Sequence, residues 1–186
     1  IALDVPNKNL INRLLLAKRS NLGATIFGYF VKNPSDYGVA KFDKKKNIVD
    51  IIEKPKKFIS NYAIPGIYFY DENVLEYTKK LKPSRRGELE ISSLNKQYLL
   101  NNKMKINLLG RGFAWLDTGT NESLLEASNF VYTIEKRQGL KIACLEELAY
   151  NNKWINISQL NKIINSLEIE SDYRNYLIKV RGGHKK

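Results

Sequence analysis

Apolar residues at Leu10, Ile11, Leu14, Leu15 and Ala17 recur at helical spacing, with Lys8, Asn12, Arg13, Lys18 and Arg19 largely opposite, which predicts an amphipathic helix over 8–21. Asn21-Leu22-Gly23 ends it. The next run, ATIFGYFV over 24–31, is almost continuously apolar and β-branched, the pattern of a strand covered on both faces. A helix followed by a doubly buried strand points to an α/β sheet.

After the turn at Asn33-Pro34-Ser35 the pattern predicts a hairpin, with strands over 37–42 and 48–52 and a Lys-rich turn between them. A further strand over 62–70 is interrupted by Pro65-Gly66. Because proline has no ladder donor, that point should be an edge or a bulge. Helical spacing follows over 73–81, and again from Arg85 to about 101, and a strand is expected over 104–109. From 121 onward the pattern is helical almost throughout, over 121–138, 144–151, 158–167 with Ser158 at the N-cap, and 171–181. The chain therefore reads as one domain, with an α/β part over 1–120 and a helical part over 121–186.

The content of 43% apolar and 11% aromatic residues in 186 is enough for a buried core. Its single cysteine, Cys144, excludes an intrachain disulfide and a Cys-rich zinc site, and a lone His184 argues against a histidine-based metal site or triad. A cytoplasmic setting fits this usage. No apolar run approaches the roughly 18 residues that a bilayer requires, so no membrane association is expected. The net charge of +12 raises nucleic acid as a partner, but the lysines are scattered among separate turns and helix faces, so no nucleic-acid surface is expected. A phosphorylated small molecule would still be drawn to such a surface.

Candidate chemistry centres on GRGFAWLDTGT (110–120). A short aromatic-flanked strand delivers one carboxylate, Asp117, into a turn of small residues. Such an acid suits a hard cation or a hydroxyl-rich ligand; it equally suits the capping of a turn before the next helix. Three more polar clusters fall at strand ends or helix starts, namely Tyr37-Gly38, Glu53-Lys54-Pro55 and Arg85-Arg86-Gly87-Glu88. Each alone can be ordinary turn or surface chemistry. Together, Arg86 at a helix N-terminus and Lys54 would hold a phosphate, Glu53 and Tyr37 would meet sugar hydroxyls, and Asp117 a divalent ion.

Several strings carry a specific resemblance: YGVAKFD (37–43), IIEKPKK (51–57), NYAIPGIYFYD (61–71), KPSRRGELEISSLNKQYL (82–99), LLGRGFAWLDTGTNESLLEAS (108–128) and VYTIEKRQGLKIACLEELAY (131–150). In this order they resemble the glucose-1-phosphate thymidylyltransferases, sugar nucleotidyltransferases of bacterial dTDP-sugar synthesis, over about residues 9–180. The resemblance implies a nucleotide-diphospho-sugar transferase fold, a Rossmann-like mixed sheet. It implies that Tyr37, Gly38, Glu53, Lys54, Ile64 and Arg86 surround glucose 1-phosphate, with Lys54 and Arg86 on its phosphate. It also implies that Asp117 is one of two aspartates that bind Mg²⁺. The implied reaction joins glucose 1-phosphate to dTTP and releases pyrophosphate, by positioning and electrostatics rather than by a side-chain nucleophile.

The family's glycine-rich GxGTRL loop and the aspartate of its GDN strand are not found among these 186 residues. The register of the first helix places Ala2, not Asp4, at that aspartate's position. The expectation is a sugar-binding, oligomer-forming portion that begins inside a longer protein and turns over little alone. It would pair with itself or with a separately encoded N-terminal half. The alternative is a non-catalytic remnant that serves as a sugar-phosphate-binding module.

Overall fold

The computed structural model describes residues 2–4, 10–19 and 22–183. His184, and the expected ends of the first helix at 8–9 and 20–21, lie outside them. The chain forms two compact units, one ending at Leu116 and one beginning at Asp117.

The first unit is built on strand β2 (Ala24–Phe30), whose residues 24–28 are buried as the unbroken apolar run requires. β7 (Met104–Leu108) lies parallel along one edge, with Ile26 opposite Ile106. Along the other edge β2 pairs antiparallel with β5 (Tyr62–Ala63) and then with β6 (Tyr68–Tyr70). The register shifts by two residues between Phe30↔Tyr62 and Ile26↔Tyr68. Pro65-Gly66 occupies this interruption, as its missing N–H donor predicts. β3 (Gly38–Phe42) pairs with β5 through Val39↔Ala63, and β4 (Ile48–Glu53) forms the outer strand.

Both faces of β2 are covered. On one, Phe27 packs with Ala17 of α1 (Leu10–Arg19), Leu109 and Phe113. On the other, Ile26 packs with Ala40, Ile51 and Ile64. Beyond it Ala24 meets Leu94 and Tyr98 of α3 (Ile91–Leu100), beside Val74 and Tyr77 of α2 (Val74–Lys79). Each fully buried side chain of Ile or Phe size stabilises such a core by roughly 1.5–3 kcal/mol. β1 (Ala2–Asp4) and β8 (Phe113–Trp115) make a separate two-stranded antiparallel ribbon, with Leu3 opposite Ala114.

Two expected helix starts are corrected. α3 begins at Ile91, not at Arg85, because residues 84–88 close a tight turn. In it Gly87 N–H donates to Ser84 O, Ser84 N–H donates to Glu88 O, and Gly87 holds φ +79, a left-handed conformation that glycine adopts freely. Arg86 therefore sits in a turn and not at a helix N-terminus.

The second unit is helical, with α4 (Asn121–Gln138), α5 (Leu145–Asn151), α6 (Ile157–Ser166) and α7 (Asp172–Arg181). Leu160, Ile164, Tyr176, Leu177, Val180 and Cys144 form its core. Asn156, not Ser158, caps α6: its side chain accepts from Gln159 N–H while the Gln159 side chain accepts from Asn156 N–H. Ser171 caps α7 as expected. Among the described residues, no helix is long and apolar enough to cross a membrane.

Candidate functional site

The β3–β4 hairpin and the start of β5 bring four of the expected residues to one cavity. Gly38 lies opposite Glu53 in the ladder, Lys54 N–H donates to Tyr37 O at 3.0 Å, and Ile64 N–H donates to Gly38 O at 2.8 Å. Five residues from three chain segments are thus fixed by backbone bonds, which is more rigid placement than side-chain packing provides. Tyr37, Gly38, Glu53 and Ile64 line a cavity of about 170 Å³. The Tyr37 ring packs on Trp115, centroids 4.9 Å apart, and Tyr29 meets the same indole edge-on at 5.7 Å.

Lys54 and Arg86 line a neighbouring groove of about 260 Å³, which shares Ile51, Glu53 and Ser92 with that cavity. Lys54 is exposed and holds φ +41, an uncommon conformation for a residue with a β-carbon. Arg86 bridges two carboxylates, Nη2 to Glu88 Oε2 at 3.0 Å and Nη1 to Glu90 Oε1 at 3.5 Å. Glu90 Oε1 also accepts from Ser84 Oγ at 2.9 Å. The guanidinium is held by acidic neighbours and stays half-exposed. The cavity is lined by carboxylates without a cation, and the groove by four cations with Glu53 and Glu90.

Asp117 opens the second unit. Its Oδ2 accepts a long 3.3 Å bond from Gly119 N–H, and the helix that follows is capped by Thr120. Thr120 Oγ1 accepts from Ser123 N–H at 3.1 Å while Ser123 Oγ accepts from Thr120 N–H at 3.0 Å. Thr120 caps the helix, while Asp117 bonds the turn before it through Gly119, as the turn-capping alternative expects, and its carboxylate stays exposed. Among the described residues no cluster of three or more metal-ligating side chains occurs. A single exposed carboxylate nonetheless fits Mg²⁺, which usually takes one or two carboxylates and completes its shell with water and phosphate oxygens. Asp4 belongs to β1 by its backbone, and its side chain lies outside the described part.

Residues that the motifs did not single out also line the cavity, among them Asp36, Tyr68, Ser92 and Asn95. Burial, and then the negative charge of Glu53, push the Tyr68 phenol up from its ordinary pKa, so it stays protonated. Asn95 carried a signal in the sequence: it stands four residues after Ile91 and three before Tyr98, a polar residue on an apolar helical stripe. A larger groove of about 490 Å³, lined by Tyr29, Phe30, Tyr62 and Phe113 with Arg111, holds none of the expected residues.

This mixed sheet, with its hairpin-borne cavity and helices on both faces, has the nucleotide-diphospho-sugar transferase fold. A UDP-glucose pyrophosphorylase crystallised with UDP-glucose superposes with a TM-score of 0.61 at 21% identity, covering 71% of this chain and 52% of the other. A Bacillus anthracis structure described as a glucose-1-phosphate thymidylyltransferase gives a TM-score of 0.58 at 35% identity, covering 69% of this chain and 50% of the other. Residues 8–134 match the nucleotidyl transferase model, and the chain belongs to that family. A glucose-1-phosphate thymidylyltransferase of Xanthomonas campestris pv. campestris (strain B100) is 49% identical over 168 residues, 90% of this chain and 57% of that protein. One from Neisseria meningitidis serogroup A is 48% identical over 158 residues, 85% and 54% of the two chains. The chain spans little more than half the length of these relatives.

Proposed function

We propose that this chain provides the glucose 1-phosphate site of a thymidylyltransferase. The reaction is attack of a glucose 1-phosphate oxygen on the α-phosphorus of dTTP, forming the new P–O bond of dTDP-glucose as the bond to pyrophosphate breaks. The observation that carries the reading is the division of the site. Glu53, Gly38 and Ile64 line a cavity suited to hydroxyls, while Lys54 and Arg86 line the adjoining groove. One charged end and one polyol end is the chemistry of a sugar phosphate.

In this reading Arg86 offers two parallel N–H donors to the phosphate and Lys54 a point charge, so the anion is held by geometry as well as by charge. Glu53 accepts hydrogen bonds from sugar hydroxyls, and the Tyr37 ring, fixed on Trp115, borders the ring of the sugar. These contacts orient the attacking oxygen, and orientation is the larger part of what phosphoryl and nucleotidyl transfer require of a protein. Asp117 is proposed as a ligand of Mg²⁺, which when bound would offset the negative charge of the nucleotide's phosphates. Self-association, or pairing with a separate nucleotide-binding half, belongs to the same proposal.

Calorimetry with glucose 1-phosphate, glucose and inorganic phosphate tests it, together with pyrophosphate release in the presence of dTTP and Mg²⁺. Binding of glucose 1-phosphate more tightly than either fragment supports the reading, and binding without turnover identifies a sugar-phosphate-binding module. Equal binding of glucose 1-phosphate and free phosphate overturns it.

A further inference from the structure

Asn95 is 1% exposed, yet it lines the cavity. Its Oδ1 accepts from Tyr70 Oη at 2.7 Å, and among the described residues its amide nitrogen has no partner. No sealed side-chain polar atom in the described structure is left without a partner, so that nitrogen opens onto the cavity. A buried amide with half its hydrogen-bonding capacity unused is costly unless something entering the cavity takes it up.

Tyr70, which donates to the amide oxygen, is itself held by its neighbours. Tyr70 stacks between Tyr68, at 5.9 Å, and Tyr98, at 5.4 Å, and Tyr98 Oη is itself anchored to Asp71 Oδ1 at 2.9 Å. Burial, with Tyr68 and Tyr98 beside it, raises the pKa of Tyr70, so its hydroxyl keeps the hydrogen it gives to Oδ1. The opposite end of the amide then faces the cavity as a donor.

We propose that Asn95 binds a hydroxyl of the sugar through this nitrogen, and that Tyr70 is its positioning residue. The inference rests on the sugar-phosphate reading above and specifies how its polyol end is recognised. A hydroxyl can accept from Asn95 while donating to the Glu53 carboxylate, which lines the same cavity. An anion is disfavoured there, because Asp36 and Glu53 line it without a cation, whereas Lys54, Arg85, Arg86 and Lys96 outnumber Glu53 and Glu90 in the adjoining groove. Sugar and phosphate are thereby assigned to separate ends.

The test compares the wild type, Asn95→Asp and Tyr70→Phe by calorimetry against glucose 1-phosphate, its mono-deoxy analogues and inorganic phosphate. Asn95→Asp keeps the shape and the Tyr70 contact but loses the donor, and should weaken glucose 1-phosphate about tenfold while leaving phosphate within about twofold. One deoxy analogue should bind this variant and the wild type equally. Tyr70→Phe retains the ring stack and should weaken glucose 1-phosphate about threefold, again sparing phosphate; it carries the test if Asn95→Asp does not fold. Unchanged glucose 1-phosphate affinity in a folded variant, or an equal penalty for every deoxy analogue, overturns the inference and leaves the sugar-phosphate site standing. If the wild type binds phosphate but gains nothing from the glucose, both fall.

Discussion

The Glu53 carboxylate lies against Gly38, so close that a β-carbon added at Gly38 would stand 3.2 Å from Oε2. The two residues face each other across the hairpin, and Gly38 O at the same point holds Ile64 N–H. Gly38→Ala would push the carboxylate aside by a few tenths of an ångström without breaking the ladder. Glucose 1-phosphate should bind about five- to tenfold more weakly, with stability changed by less than about 1 kcal/mol. Calorimetry beside a melting curve checks this, and unaltered affinity would show that the tight approach serves packing alone.

Arg86 meets Glu88 at the surface, where such a pair contributes roughly 0–1 kcal/mol, but its second partner, Glu90, is only 12% exposed and would keep Ser84 Oγ alone. Arg86→Ala should therefore lower stability by about 1 kcal/mol while glucose 1-phosphate affinity falls at least tenfold, the order of a charged hydrogen bond. Arg86→Lys should recover only part of it, because a lysine cannot make the paired contact. Full recovery by lysine would mean that charge alone matters at this position.

Lys54 combines a left-handed backbone with a place in the groove that Arg86 also lines, so strain and the proposed phosphate contact should separate on substitution. Lys54→Gly relieves a conformation that costs of order 1 kcal/mol but adds chain entropy to the unfolded state, and the net change should fall between zero and about 1 kcal/mol of stabilisation. Binding of glucose 1-phosphate should nevertheless weaken several-fold. A clear loss of stability would show that the Lys54 side chain supports the hairpin.

Much of the sheet was legible because its cues are local. The unbroken apolar run 24–31 marked the central strand, and Pro65-Gly66 marked the break between β5 and β6. The start of α3 was not legible, since RRGELEI has acceptable helical composition. Only Gly87 in a left-handed conformation and the Ser84–Glu88 closure reveal a turn, and both depend on contacts formed after folding. The helix-start argument for Arg86 fails with it, although its guanidinium still lines the groove with Lys54. For Asn95 the sequence shows only a polar residue on an apolar helical stripe; its burial and its bond to Tyr70, 25 residues away in sequence, arise on folding.

Glu135 links α4 to the segment after it, accepting from Lys141 Nζ and from Ile142 N–H, each at 2.8 Å. Burial works to raise its pKa, but the Lys141 and Ile142 hydrogen bonds outweigh it and hold the carboxyl below its ordinary value. A lowered folded pKa adds stability that is present above the unfolded value, about 4.3, and is lost as pH falls through the folded one. The melting temperature should drop on acidification below about pH 5, and Glu135→Gln should flatten that part of the profile. An identical acid profile in the variant would assign the loss to other carboxylates.

Thr120 and Asp117, three residues apart, should answer to different measurements. Thr120 is the N-cap of an 18-residue helix, bonded reciprocally with Ser123. Its replacement by alanine should cost about 1 kcal/mol. Asp117 makes one long bond to Gly119 and is exposed, so Asp117→Asn should change stability by less than about 0.5 kcal/mol. If Asp117 is a Mg²⁺ ligand, that same substitution should abolish any Mg²⁺-dependent change in calorimetry or nucleotide protection, while Thr120→Ala preserves it. Should Asp117→Asn instead destabilise the chain as Thr120→Ala does, with the Mg²⁺ response intact, the carboxylate belongs to the turn and not to a metal.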